Sequence, residues 1–311
     1  MTTAPARFIV PLALLGLLAT GCGGSDGDGG TEGATETEAA AAADGPTIRV
    51  RGQAFSESVT IAEVYGQYLQ AKGYDVEILT EAGFRDEAIT GIETGELDLI
   101  IDYIGGAQAA LAPDVASSSD PDEVVATIEP LVAEIGATLL DYSPAVDGDA
   151  YVVRGDLDAE TISDTADAEL VLGASAQCFE RPQCYLGLTD PDIYGIEFAD
   201  TTTIEFGPLL GEALAAGEVD VVIWNTTAPQ IGEQGFKVLT DDQGLFPAQN
   251  IAPIVRDEVL DAYSGQLATD LNELSALITT DDLLAWNTET DIELRESDDV
   301  AMEWLEGEGL L

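Results

Sequence analysis

Two stretches of the chain follow one pattern: Gly95-Glu96-Leu97-Asp98-Leu99-Ile100-Ile101-Asp102-Tyr103 and Gly217-Glu218-Val219-Asp220-Val221-Val222-Ile223-Trp224-Asn225. Each follows a helical pattern and reads as a turn into a buried strand. An earlier pair agrees, since residues 48–52 and 169–173 are both apolar strands ending in glycine. Gly52 and Gly95 are 43 residues apart, Gly173 and Gly217 are 44. Strand-turn-helix grammar recurs by chance in any α/β chain, but matched order and spacing favour two similarly built lobes. A period this long in two copies does not suit a solenoid.

The surrounding pattern agrees with α/β architecture. Residues 47–51 predict a strand, 57–72 a helix stopped by Gly73, and 75–79 a second strand. In open α/β sheets ligands bind beyond the carboxyl ends of the strands. The segments to inspect are therefore 53–57, 103–106, 175–181 and 224–227. Were two such lobes to face one another, these segments would line a shared cleft, a favoured place for small-molecule sites.

The N-terminus is of another kind. Arg7 precedes an apolar run over residues 8–20, and Ala19-Thr20-Gly21-Cys22 closes it, so residues 1–21 predict a secretory signal. The run falls short of the roughly 20 residues a membrane-spanning helix needs. Small residues before Cys22 resemble the bacterial lipobox, in which that cysteine is lipidated, although Ala19 stands where leucine is commoner. Residues 22–46 are almost wholly Gly, Ala, Ser, Thr, Asp and Glu and predict a flexible tether. The expected localisation is outside the cell membrane, anchored by lipid on Cys22.

Charge narrows the partners. Ten Lys and Arg face 60 Asp and Glu, a formal net charge of -50, and Lys72 and Lys237 are the two lysines. Phosphate backbones and anionic membrane surfaces both repel such a chain. The acids are spread throughout, as a solvated acidic surface requires, and their mutual repulsion predicts stability that falls at low ionic strength. The chain lacks histidine, the commonest general base and metal ligand, and no two carboxylates stand in a recognised catalytic setting, so an enzyme is not expected. No Gly-x-x-x-x-Gly-Lys-Ser/Thr phosphate loop occurs. Asp147-Gly148-Asp149 is too short for a calcium loop. No cofactor or metal is implied.

Cys178 and Cys184 flank Phe-Glu-Arg-Pro-Gln. In an exported protein so close a pair predicts a disulfide closing a loop around Arg181, with free thiols as the alternative.

Several stretches carry a family resemblance: Phe55-Ser56-Glu57, then Gly95 through Gly105, then Asp241-Asp242-Gln243-Gly244-Leu245-Phe246-Pro247. After them come Ala252-Pro253-Ile254-Val255-Arg256 and the terminal Val300-Ala301-Met302-Glu303-Trp304-Leu305. In order and spacing, residues 48–311 resemble the binding proteins of osmoprotectant ABC importers, which capture glycine betaine, choline, carnitine and related quaternary amines. The resemblance implies a two-lobed periplasmic-binding-protein-like fold with two hinge crossings, near residues 143–153 and 240–250. Lobe 1 would comprise 47–147 and 246–311, and lobe 2 would comprise 148–245. A monomer delivering one solute to separate permease subunits is implied, with a ligand-sensing receptor module as the rival of another class.

In the family an aromatic box holds the methylated cation, because ring faces attract a weakly hydrated charge. Tyr103 matches a box tyrosine, and Arg181 matches the arginine that pairs with a ligand carboxylate. Other box positions depart. Asp149 stands where a tyrosine is usual, with Tyr151 near enough to substitute after a small shift. Gly211 and Asn225 occupy two further tyrosine positions, Trp224 preceding the second. Gln53, Ser56 and Thr226 are candidate donors at the cleft edge, and Ser56 is favoured as the cap of the following helix. Phe55 completes the candidate site. The altered box leaves an amino acid or polyamine open as the solute.

Overall fold

The computed structural model describes residues 45–311. The signal segment, Cys22 and most of the tether lie outside the described residues.

Ten strands form two sheets: β1 (Ile48–Gln53), β2 (Val76–Gly83), β3 (Leu99–Tyr103), β4 (Ala137–Leu139), β5 (Asp149–Arg154), β6 (Val171–Ala174), β7 (Asp200–Thr203), β8 (Val221–Asn225), β9 (Phe236–Leu239) and β10 (Ile251–Arg256). The orders are β2-β1-β3-β10-β4 and β7-β6-β8-β5-β9. In each sheet three strands run parallel and a fourth, β10 or β5, lies antiparallel beside the third. The α/β, two-lobed expectation holds, and the repeat legible in the sequence is a repeat of topology.

The glycine-acid-apolar-aspartate turn recurs for a physical reason. Gly95 and Gly217 end their helices at φ 76° and 70°, where a side chain would be strained. Asp98 and Asp220 then staple the third strand to the first: Asp98 accepts from the Arg49 amide at 3.0 Å, and Asp220 from the Val171 amide at 3.0 Å. Each aspartate also receives the arginine that ends the antiparallel strand, Arg256 to Asp98 at 3.1 Å and Arg154 to Asp220 at 3.1 Å.

Packing follows the same division. The helix Ser56–Ala71 buries Ile61, Val64, Tyr65, Tyr68 and Leu69 on one face, the spacing an amphipathic helix requires. Each such side chain contributes roughly 1.5–3 kcal/mol by leaving water. Leu267, Leu271, Leu274, Leu283, Trp286, Val300 and Leu305 of the C-terminal helices join that first core. The second sheet has its own cores on its two faces, one around Tyr151 and Ile223 and one around Val152 and Trp224.

The chain passes between sheets from β4 to β5 and from β9 to β10. The two passages run antiparallel, joined by a bridge between Val146 and Asn250, and Ser143 donates its amide to the Ile251 carbonyl at 2.8 Å. No described helix is long and apolar enough to cross a membrane.

Candidate functional site

Beyond the carboxyl ends of the parallel strands lie two cavities that share Phe206. The first, of about 290 Å³, is lined from the first lobe by Phe55, Glu57 and Asn287, from the crossing by Asp147, and from the second lobe by Phe206, Trp224, Asn225 and Thr227, among others. The second, of about 610 Å³, belongs to the second lobe and holds Asp149, Ser175, Gln177, Arg181, Glu205 and Phe206.

Glu57 is the centre of the first cavity's polar wall. It is 3% exposed, and its oxygens accept from the Tyr103 hydroxyl at 2.5 Å and the Asn287 amide at 2.5 Å. Asp147 lies within hydrogen-bonding reach of it and accepts from the Asn225 amide at 3.1 Å. Burial, and then the neighbouring Asp147 charge, push the Glu57 carboxyl up to about 7 against the hydrogen bonds it accepts. Burial raises Asp147 as well. Burial also drives the Tyr103 hydroxyl well above its ordinary value, with Glu57 adding to the effect, so it stays a donor.

The second cavity pairs the two charges that the sequence singled out. Arg181 donates to Asp149 at 2.5 Å. Asp149 begins β5, opposite Asn225, and is not a solvated turn acid. Its carboxyl is raised by burial, opposed by the Arg181 charge. Cys178 and Cys184 are disulfide-bonded with Cα atoms 5.3 Å apart, closing the loop that carries Arg181.

Several candidates hold other partners, and of these Ser56 alone lines the first cavity. Tyr151 is fully buried in the second lobe's core, where its hydroxyl meets Thr165 at 3.1 Å. Two residues along a strand is about 7 Å, so Tyr151 lies a full pleat beneath Asp149 and cannot replace it in the cleft. Gln53 spends its amide on Asp102 at 2.7 Å, an acid also bound by Arg85 at 2.9 Å. The Thr226 hydroxyl donates to the Val146 carbonyl at 3.0 Å and so holds the crossing. Tyr103 backs the cavity through Glu57 and packs on Phe55 with ring centres 6.0 Å apart. Ser56 does not cap its helix: its hydroxyl reaches Asp291 at 2.6 Å, and Ser58 takes the Gln53 amide at 2.9 Å.

Gly211 has a positive reason to lack a side chain. A β-carbon there would stand 2.8 Å from the Trp224 ring. The indole fills the space and lines the cavity. Glu57 and Thr227 fall within the strand-end segments 53–57 and 224–227 singled out from the sequence, though neither was named as a site residue, and sequence reasoning missed Asp147, Phe206 and Asn287. Phe206, 54% exposed just after the carboxyl end of β7, was open to the strand-end rule, had β7 been recognised.

Among the described residues no group of three or more His, Cys, Asp or Glu side chains is arranged to hold a metal ion.

Comparison with known proteins agrees with this architecture. The chain is 25% identical over 269 residues to the carnitine transport binding protein OpuCC of Listeria monocytogenes, covering 84% of this chain and 86% of the relative. It is 25% identical over 292 residues to a glycine-betaine-binding protein of Pseudomonas aeruginosa, covering 88% and 91%. A crystal structure of a glycine betaine/carnitine/choline ABC transporter superposes with a TM-score of 0.77 at 22% identity, over 85% of this chain and 99% of that one. Residues 46–307 match the model of one family, and the chain belongs to it: the substrate-binding domains of ABC-type glycine betaine transport systems.

Proposed function

We propose that the chain captures a quaternary-amine osmoprotectant of the glycine betaine, choline or carnitine type, by closing two lobes, and hands it to the permease subunits of an ABC importer. Members of this family bind solutes and are not enzymes. The observation that carries the reading is the first cavity, where Phe55 and Phe206 from opposite lobes, with Trp224, accompany Glu57 and Asp147. Ring faces and carboxylates both attract a methylated cation, and neither asks it for a hydrogen bond it cannot make.

The lobes are residues 47–147 with 246–311, and 148–245, and the crossings between them serve as the hinge. The protein works as a monomer outside the membrane, tethered by lipid on Cys22 after removal of residues 1–21. Metabolic labelling with a fatty acid tests the anchor: Cys22→Ser should abolish incorporation.

Calorimetric titration in high salt with glycine betaine, choline, carnitine, amino acids and polyamines tests the ligand. One-to-one binding of a quaternary amine, weakened by Phe206→Ala, is the expected result. Heat from an amino acid or polyamine alone would support the second reading, which the amide and carboxyl groups of Asn225, Asp147 and Glu57 favour.

A further inference from the structure

Away from the two crossings, the hydrogen bonds between the lobes converge on one residue. Thr227 follows β8 in the second lobe and is 0% exposed. Its carbonyl accepts from the Asn287 side-chain amide at 3.1 Å. Its hydroxyl accepts from the Asn225 amide at 3.0 Å, which leaves the hydroxyl hydrogen for the carboxyls of Glu57 and Asp147, both within hydrogen-bonding reach. Asn287 and Glu57 belong to the first lobe, at the end of the helix Thr280–Asn287 and near the start of the helix Ser56–Ala71.

Asn287 is built to reach across. One of its amide contacts, to Glu57 at 2.5 Å, anchors the side chain within its own lobe, and the other crosses to Thr227. The anchor holds the group in place before the second bond forms, so less freedom is lost when it does.

Charge gives the lobes no such tie. Among the described residues every ion pair lies within one lobe or the other. Both lobes carry a large excess of acid, which pushes them apart. A tie of amide, hydroxyl and backbone carbonyl is not weakened by salt as an ion pair is. Parting the lobes would return these groups to water, so each bond contributes modestly.

Resting on the two-lobed closure proposed above, we infer that Asn287 and Thr227 form a latch that holds the lobes together, acting as positioning residues for solute capture. The latch reduces the work that the solute's own contacts must do in drawing the lobes closed.

The test is small-angle X-ray scattering of the purified protein in high salt, after unfolding and refolding to shed carried solute. The unsubstituted chain should scatter as closed lobes. Thr227→Val keeps the shape and the carbonyl and loses the hydroxyl, while Asn287→Leu keeps the bulk and loses the amide. Each should shift the closed-to-open ratio about tenfold towards open and enlarge the radius of gyration. Thr227→Ser keeps the hydroxyl and should stay compact. Packing alone would give the reverse order, since serine and not valine loses the methyl group. Should Asn287→Leu fail to fold, the two Thr227 variants carry the test. An open unsubstituted chain, or a Thr227→Val variant as compact as Thr227→Ser, would overturn the inference. No solute enters the measurement, so either outcome leaves the importer reading standing. That reading falls separately, if calorimetric titration finds no binding of glycine betaine, choline or carnitine.

Discussion

Asp98 and Asp220 occupy the same place in the two sheets, yet their surroundings differ. Asp98 has 2% of its side chain exposed between Arg49 and Arg256, whereas Asp220 has 31% exposed and pairs with Arg154, itself 34% exposed. The duplicated turn therefore preserves a connection, aspartate to first strand and to antiparallel strand, while burial decides how much that connection matters. A charge deep in a lobe is costly to leave unpaired, and one at the rim is rescued by water.

Breaking the comparison directly gives the largest expected effect. Asp98→Ala should cost about 3 kcal/mol by removing the buried partner that Arg49, Arg256 and the Arg49 amide share, against about 1–2 kcal/mol for Asp220→Ala. Denaturant unfolding in high salt reads both, and equal losses would contradict the burial argument.

Trp224→Ala should cost about 3 kcal/mol through the cavity it leaves. Gly211→Ala should cost about 1–3 kcal/mol by overpacking the indole, although alanine is the better helix former. In a Trp224→Ala background that second cost should vanish, and a double-mutant cycle measures whether it does.

Glu57 sharpens the contrast between the strand ends of the lobes, since β3 ends on a hydroxyl-to-carboxyl contact and β8 on an indole and an amide. Its carboxyl is raised on folding, chiefly by burial, so its contribution to stability is present below the ordinary carboxylate value and lost as pH rises through about 7. Between about pH 5 and about pH 8 the melting temperature of the unliganded protein should fall relative to Glu57→Gln. Parallel curves would remove Glu57 as the cause. The smallest effect on stability is expected from exposed Phe206→Ala, within about 0.5 kcal/mol.

Much of the frame was legible because it is written locally. Gly95 and Gly217 mark helix ends wherever they occur, and the apolar runs after them are long enough to declare buried strands. The cavity's polar wall was not legible, because it is assembled across the chain: Asn287 meets Glu57 from 230 residues away. Nothing near Asn287 distinguishes it from any other residue at a helix end. Tyr151 shows the opposite limit, since its type suited an aromatic box and only strand register, which fixes depth, excluded it. Asp149 and Arg181 were each identified, but their pairing depended on where the disulfide loop lies over β5.

The exchange of antiparallel strands between sheets has a consequence for the order of synthesis. Strands β5 to β9 are contiguous in the chain, so the second lobe's sheet has all its strands once residue 239 is made. The first lobe's sheet waits for β10, and its core for helices that end at Glu308. The lobe that begins first therefore finishes last. A ribosome-stalled or C-terminally truncated chain would present a completed second lobe beside an unfinished first one, with the apolar faces of Tyr65 and Leu69 open to aggregation until the last helix arrives.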